Sequence, residues 1–293
     1  MPTRWQYVGR NSRQVVEAFG AFTVSASLFR WFLGRDVNLT EKHVFRLSKY
    51  HPRVVLWRAL TNLGPLPVLA RARDAASWQN FWKTETQDVV FQDYAKGSPL
   101  RDWFARKCVD LGPQSMLELG SNVGANLQAL SKADSNLKLY GIELNENAVN
   151  WGSRNMPEGC SARLMTGSMA DIEGVLSRNG VDGVDIVFSA AATMHVNDDI
   201  FAAAKQQALK VARKAIVHLE YNAWTPAEMK NGRNWRSSFL SDRWIRDYVA
   251  EYESMPGVAR VECFRVPPEI NTARNIGRLW VNDMTGLIIA HMK

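Results

Sequence analysis

The run Ser115-Met-Leu-Glu-Leu-Gly-Ser-Asn-Val-Gly-Ala-Asn126, with Leu139-Tyr-Gly-Ile-Glu-Leu-Asn145 a strand's length beyond it, constrains this chain more than any other feature. A short apolar segment leads into a glycine-bearing turn and a helix start. A second apolar segment then ends on a carboxylate. Repeated along a chain, that arrangement builds a parallel, doubly wound sheet whose turns share one edge. Gly120 and Gly124 carry no Cβ, so the turn can approach a ligand closely. The helix beginning near Gly124 offers free N–H groups to an anionic group. Glu143, roughly twenty residues past the glycines, is placed to accept both hydroxyls of a ribose. These residues describe a nucleoside-cofactor site.

Spacing separates two cofactors. Nicotinamide sites favour G-x-G-x-x-G, where a close-packed turn holds a pyrophosphate. Here the order is Glu118-x-Gly120-x-Asn122-x-Gly124, with a carboxylate ahead of the first glycine. This resembles motif I of the class I S-adenosylmethionine-dependent methyltransferases, with Asn122 in the place of the middle glycine. The resemblance implies S-adenosylmethionine as cofactor, Glu118 toward its ammonium, and Gly120, Ser121, Asn122, Gly124 and Asn126 among the residues that bind it. Glu143 would then serve the ribose, with Leu144 next to it among the cofactor-binding residues. In the same family the loop after the third strand lies over the adenine. Gly167, Ser168 and Met169 match it, Ser168 as hydrogen bonder and Met169 as ring contact. An ordinary strand-to-helix turn with Asp171 as N-cap is the alternative for that loop.

The apolar and turn signals alternate from about residue 114. Strands are expected over 115–119, 138–143, 162–166, 184–190 and 214–220, and helices over 124–132, 145–153, 171–179 and 199–212. A helix near 241–252 follows, then an extended segment near 257–266 and a final strand at 285–291. The fold class is α/β: a doubly wound, mostly parallel seven-stranded sheet of the Rossmann-like methyltransferase type, closed by two late antiparallel strands as in the resembling family.

The fourth strand leads into Ala190-Ala-Ala-Thr-Met-His195, a loop that should border the transferred methyl group. Ser189 to Ala192 are small enough to leave room beside the cofactor, with Ser189 and Ala190 among the residues that would bind it. No Asn-Pro-Pro-Tyr or Asp-Pro-Pro-Tyr sequence occurs, which argues against nucleobase and glutamine-amide acceptors and for O- or alkylamine methylation. His195 is the best-placed general base, with a structural or substrate-orienting role as the competing reading. Glu220, at the carboxyl edge of strand five, would assist His195 or orient a substrate hydroxyl, whereas His218 reads as a core residue. Arg233 and Arg236 are candidates for holding an anionic substrate.

Residues from about 78 to 224 further resemble the methylases associated with pseudaminic acid and related surface-sugar biosynthesis. Phe81-Trp82, Tyr94, the two motif strands, the His-bearing loop and Glu220-Tyr-Asn carry that likeness. It implies Tyr94 near the cofactor and a sugar or glycan acceptor in polysaccharide biosynthesis. Ala95-Lys-Gly97 departs from the Arg-Asn pair usual in that branch.

Composition bounds the rest. The three cysteines are scattered, so they form neither a disulfide framework nor a metal cluster, and no metal is expected. Neither a secretory signal nor a membrane span is evident, which points to the cytoplasm. The net charge of +7 sits at one end: twelve Lys/Arg against four Asp/Glu give +8 within residues 1–74, and the remainder carries −1. An anionic partner fits this asymmetry, and so does a merely solvated helical face. Val15, Phe19, Phe22, Ala26, Phe29 and Leu33 make one stripe of an amphipathic helix over 12–34. Packing against the catalytic domain or a second subunit in a homo-oligomer is one use for it. Peripheral contact with the inner membrane surface is another. Residues 1–75 are therefore expected as a basic helical extension, hinged near Leu63-Gly-Pro-Leu-Pro67, and 76–293 as the methyltransferase domain with an aromatic lid over 78–97. RNA, lipid or quinone acceptors and a non-catalytic scaffold are the rival readings, nucleic acid being disfavoured as a partner.

Overall fold

A computed structural model describes residues 83–224, 237–240, 243–270 and 285–293. Contacts divide the chain into the units Met1–Phe81 and Trp82–Lys293, and the described residues all belong to the second. The stripe over 12–34, the hinge at 63–67, Phe81 and Trp82, and Arg233 and Arg236 all lie outside the described residues.

Two helices precede the sheet, α1 (Asp88–Tyr94) and α2 (Pro99–Val109). The alternating region then gives β1 (Ser115–Leu119), α3 (Ala125–Ala133), β2 (Lys138–Glu143), α4 (Glu146–Arg154) and β3 (Arg163–Thr166). It continues through α5 (Ile172–Arg178), β4 (Val184–Ala190), α6 (Asp198–Val211) and β5 (Ala212–Tyr221). A small antiparallel pair, β6 (Ser237–Leu240) and β7 (Arg243–Arg246), leads to α7 (Tyr248–Glu253), β8 (Val258–Arg265) and β9 (Thr285–Met292).

The seven-stranded sheet runs β3-β2-β1-β4-β5-β9-β8. Its first five strands are parallel, and β9 is antiparallel to both β5 and β8. The expected α/β class is therefore the observed one. Strand order reverses between β1 and β4, so the crevice at their carboxyl ends is the topological switch point.

Burial on both faces explains why β1 and β4 read as near-continuous apolar runs. Alternate residues serve opposite layers. Met116, Ile186, Phe188, Val217 and Leu219 face Phe104, Leu127 and Leu130 of α2 and α3. Leu117, Leu119, Val187 and Ile216 face Val175, Leu176, Phe201, Tyr248 and Tyr252 on the other side. Helix starts follow local chemistry. Pro99 opens α2 behind Ser98, whose Oγ accepts the Arg101 N–H. Asn145 and Asn197 cap α4 and α6 through Oδ1.

One expected element is corrected. The helix read over 241–252 is helical only over Tyr248–Glu253. Arg243–Arg246 is instead a strand, because it pairs with Ser237–Leu240 and bridges to Asn222, contacts that override local helical pattern. Among the described residues, no helix is long and apolar enough to cross a membrane.

Candidate functional site

The turn after β1 is built on left-handed backbone. Gly120 (φ 73°), Asn122 (φ 48°) and Gly124 (φ 80°) all adopt it, which explains why Asn, the side chain most tolerant of that region, can stand between two glycines. Gly120 N–H and Ser121 N–H both donate to Ile142 O, at 2.8 and 3.1 Å, tying the turn to β2. A Cβ on Gly120 would lie 2.7 Å from Ala192 Cβ and 3.7 Å from Met169 Cε. The turns after β1, β3 and β4 therefore meet at this glycine, as the sequence placed them. Met169 is half-buried in a short 3-10 turn, Met169–Asp171, which Ser168 caps by accepting the Ala170 N–H at 3.2 Å. Asp171 makes no cap bond to α5, so Ser168 does the capping and Asp171 pairs with Arg178. Gly167 joins this loop to β2 through its N–H to Glu143 O at 2.9 Å.

Glu143 sits at the tip of β2, nearly buried, and ties two turns together. Its Oε2 accepts the Asn122 N–H and its Oε1 the Asn145 N–H, each at 2.8 Å. Burial pushes its carboxyl above the ordinary range, while the backbone bonds of Asn145, Asn122 and Leu144 pull it back. Three backbone donors leave the carboxylate, which can accept about four hydrogen bonds, with capacity for a ligand hydroxyl. Beside it Leu144 is 43% exposed, one of few large apolar side chains left so bare among the described residues.

Behind the turn lies a buried polar chain. Glu118 Oε1 accepts from Asn126 Nδ2 at 2.6 Å, and Asn126 Oδ1 accepts from Arg101 Nε at 3.1 Å. The Arg101 guanidinium also donates to the Lys96 carbonyl. Glu118 Oε2 is buried with no hydrogen-bond partner. Burial pushes the Glu118 carboxyl up to about 8 against the opposing effects of Asn126 and Arg101. Tyr94, at the end of α1, packs with Phe91, Val123, Ala148 and Trp151 against the same turn. Asn145 Nδ2 donates to Glu85 O at 2.9 Å, which ties the segment ahead of α1 to the turn after β2.

Three expected site residues take other positions. Ser121 turns its hydroxyl toward β2, 2.6 Å from where a Cβ on Gly141 would stand, so it supports the turn from behind. Ser189 is fully buried, its Oγ bonded to His218 Nδ1 and Glu220 Oε1 at 2.8 Å each, and Ala190 is buried in the core. Of the small residues expected beside the cofactor, only Ala191 and Ala192 are half-buried rather than buried. Ala191 holds φ 53°, an uncommon conformation for a residue with a Cβ.

Glu220 is likewise turned inward. It is fully buried, and its Oε1 accepts from Ser189 Oγ, Ala192 N and Thr193 N at 2.8–2.9 Å; Oε2 accepts from Met194 N at 3.3 Å. With protein donors on both oxygens it is an anchor for the loop that carries His195, and a substrate clamp at Glu220 is excluded by this burial. His218 is in the core as expected, between Ser189 Oγ and Tyr252 Oη, and burial drives its pKa down to about 3. His195 ends a 3-10 turn, Thr193–His195, half-buried at the carboxyl end of β4.

Two arginines were not singled out by sequence reasoning. Arg101 completes the Glu118–Asn126 chain. Arg246, fully buried, donates to Thr193 O and Val196 O at 2.7 Å each and stacks its guanidinium 4.4 Å above the Phe201 ring. Tyr248 Oη adds a bond to Thr193 Oγ1 at 2.7 Å. The His195 loop is thus held through its N–H groups by Glu220, through its carbonyls by Arg246 and through a side chain by Tyr248.

No family model and no curated protein matches the sequence. Solved structures do. The chain is similar to an O-methyltransferase from Bacillus cereus in complex with SAH, at 15% identity over 82% of this chain and 97% of that one, with a TM-score of 0.47. It is similar to magnesium protoporphyrin IX methyltransferase from Synechocystis with bound SAH, at 13% identity over 82% and 98%, TM-score 0.44. A third is a phosphoethanolamine N-methyltransferase from Haemonchus contortus, at 13% identity over 80% of this chain and 51% of that one, TM-score 0.49. At such identities the fold assignment rests on the strand order itself.

Proposed function

We propose that this chain is an S-adenosylmethionine-dependent methyltransferase acting on a hydroxyl, or secondarily an amine, of a sugar, glycan or related small molecule. The observation that carries the cofactor reading is the left-handed turn gripped by Glu143, with Leu144 bare beside it and an unpartnered Glu118 oxygen behind it. These residues fit a ligand with two hydroxyls, a flat apolar base and a cation. Glu143 would hold the ribose, Leu144 and Met169 the adenine, Glu118 and Asn126 the amino-acid half. S-adenosylmethionine supplies an electrophilic methyl group on a sulfonium. Methyl transfer by displacement needs alignment first and proton removal second. His195 is positioned by its anchored loop to take the acceptor's proton, and Ala191 and Ala192 leave space for that acceptor at the crevice. The basic residues 1–74 favour an anionic acceptor by drawing it in electrostatically.

Calorimetric titration with S-adenosylmethionine tests the reading. The wild type binds. Leu144→Asp binds at least about tenfold more weakly, since losing one Leu contact is worth about 1.5–3 kcal/mol. Its melting temperature stays unchanged, because the side chain is 43% exposed. A wild type that fails to bind sinks the proposal. With binding established, methyl transfer from labelled cofactor to sugar nucleotides and sugar phosphates identifies the acceptor. His195→Gln should then slow transfer with cofactor affinity intact.

A further inference from the structure

Behind the loop that carries His195, four buried side chains form one unbroken hydrogen-bonded chain. Tyr252 Oη of α7 lies 2.8 Å from His218 Nε2 on β5, and His218 Nδ1 lies 2.8 Å from Ser189 Oγ on β4. Ser189 Oγ in turn lies 2.8 Å from Glu220 Oε1, which also accepts the Ala192 and Thr193 N–H groups. All four side chains are at most 2% exposed, so water cannot stand in for any of these bonds.

Counting hydrogens gives the chain a direction. Tyr252 and Ser189 each have one hydroxyl hydrogen, and a neutral imidazole has one N–H. Running from Tyr252 to Glu220, every hydrogen finds an acceptor. Tyr252 O–H donates to His218 Nε2, His218 Nδ1–H to Ser189 Oγ, and Ser189 O–H to the carboxylate. The reverse direction needs a proton on Glu220 Oε1, where two backbone N–H groups already point. It also leaves the buried Tyr252 hydroxyl hydrogen with no acceptor among the described residues. A doubly protonated His218 fails in the same way and meets two facing cations, Arg246 of β7 and Lys205 of α6, the latter paired with Glu251 of α7. Burial pushes the Glu220 carboxyl up, and the Ala192, Thr193 and Ser189 donors pull it back. Arg246 stands on the other side of the loop, donating to Thr193 O and Val196 O. A carboxylate at the loop's N–H groups is thus balanced by a guanidinium at its carbonyls.

We propose that Tyr252, His218 and Ser189 are positioning residues that act through Glu220: their one-way chain, with His218 held in the Nδ1–H form, aims the Glu220 carboxylate at the loop's N–H groups and so sets where His195 stands. The role of His195 as proton acceptor rests on the methyltransferase reading above; the direction of the chain does not. The chain orients the loop and carries no proton to the acceptor.

Nitrogen-15 NMR of the ligand-free full chain at pH 7 reads the tautomer, with the His218 ring assigned by through-bond correlation to its own backbone. Nδ1 should be protonated and Nε2 bare. A protonated Nε2, with Nδ1 bare or protonated, overturns the proposal. Ser189→Ala then tests the positioning, because it removes the link between His218 and Glu220. Amide exchange at Ala192 and Thr193 should quicken at least about tenfold, with exchange in β1 as the reference. On an acceptor found by the screen above, kcat should fall by a similar factor while KM for S-adenosylmethionine holds. Unchanged exchange or unchanged kcat overturns the positioning role. A wild type that transfers no methyl group sinks the methyltransferase reading instead, and the tautomer and the amide exchange still decide the chain. The tautomer needs only wild-type protein, so it stands even if Ser189→Ala fails to fold.

Discussion

Single side chains in this protein do different work according to how much of their hydrogen-bonding capacity the fold consumes. Glu220 is consumed completely, Glu143 partly, and Glu118 by half. Glu118 has a consequence for stability. Its carboxyl sits near 8 in the folded protein, against 4.5 for an ordinary glutamate. Between those values the folded chain keeps a proton that the unfolded chain has lost. The associated stability is full below about pH 4.5 and is lost as pH rises through 8. Denaturant titrations of the ligand-free protein from pH 6 to 9 should therefore show declining stability, and Glu118→Gln should flatten that decline. Glu118, Asn122 and Glu143 were legible in the sequence because the turn chemistry around them is local. Arg101 and Arg246 were not, since the groups they hold lie 25 and about 50 residues away. Glu220 was legible as important and misread in role. Strand alternation gives a residue's face, but whether its carboxylate meets substrate or backbone depends on a loop packed across from it.

At the level of elements, the loop after β4 is unusual in being fixed on three sides. Its N–H groups meet the buried Glu220, its carbonyls the buried Arg246 and its Thr193 hydroxyl Tyr248, and together they hold Ala191 in left-handed backbone. Strain at such a residue persists only where surrounding contacts over-determine it. Arg246→Met removes the donors to two buried carbonyls and should lower unfolding free energy by about 3 kcal/mol in urea titrations, since each bond to a charged group is worth about 1.5–3 kcal/mol. Arg246→Lys should recover only part of that, because one ammonium lacks the fork that spans both carbonyls. Close packing matters at α4 as well. A Cβ on Gly152 would stand 2.7 Å from Val123 O, so Gly152→Ala should push the turn after β1 outward and lower stability, read by thermal melts, and, if the proposed function holds, S-adenosylmethionine affinity, read by calorimetry. The alternating strands and helices were readable to within two residues at their ends, because buried parallel strands and capped helices announce themselves locally. The β6–β7 pair was not, since its strands are stabilised by each other and by Asn222.

Across the whole described unit, two apolar layers sandwich one sheet, and β1 and β4 lie at its centre with every residue buried. Native-state hydrogen exchange should be slowest in β1, β4 and β5 and fastest in the edge strands β3 and β8; uniform protection would contradict this ordering. The placement of β9 between β5 and β8 carries a consequence in time rather than in space. β8 precedes β9 in the chain yet touches the sheet only through it. Until residues 285–292 have emerged and paired, β8 has no strand to pair with and the outer edge of β5, apolar at Ile216, Val217 and Leu219, is open. Assembly therefore cannot follow the order of synthesis: a growing chain must hold its eighth strand in waiting, with an aggregation-prone edge exposed, until the ninth arrives to close both at once.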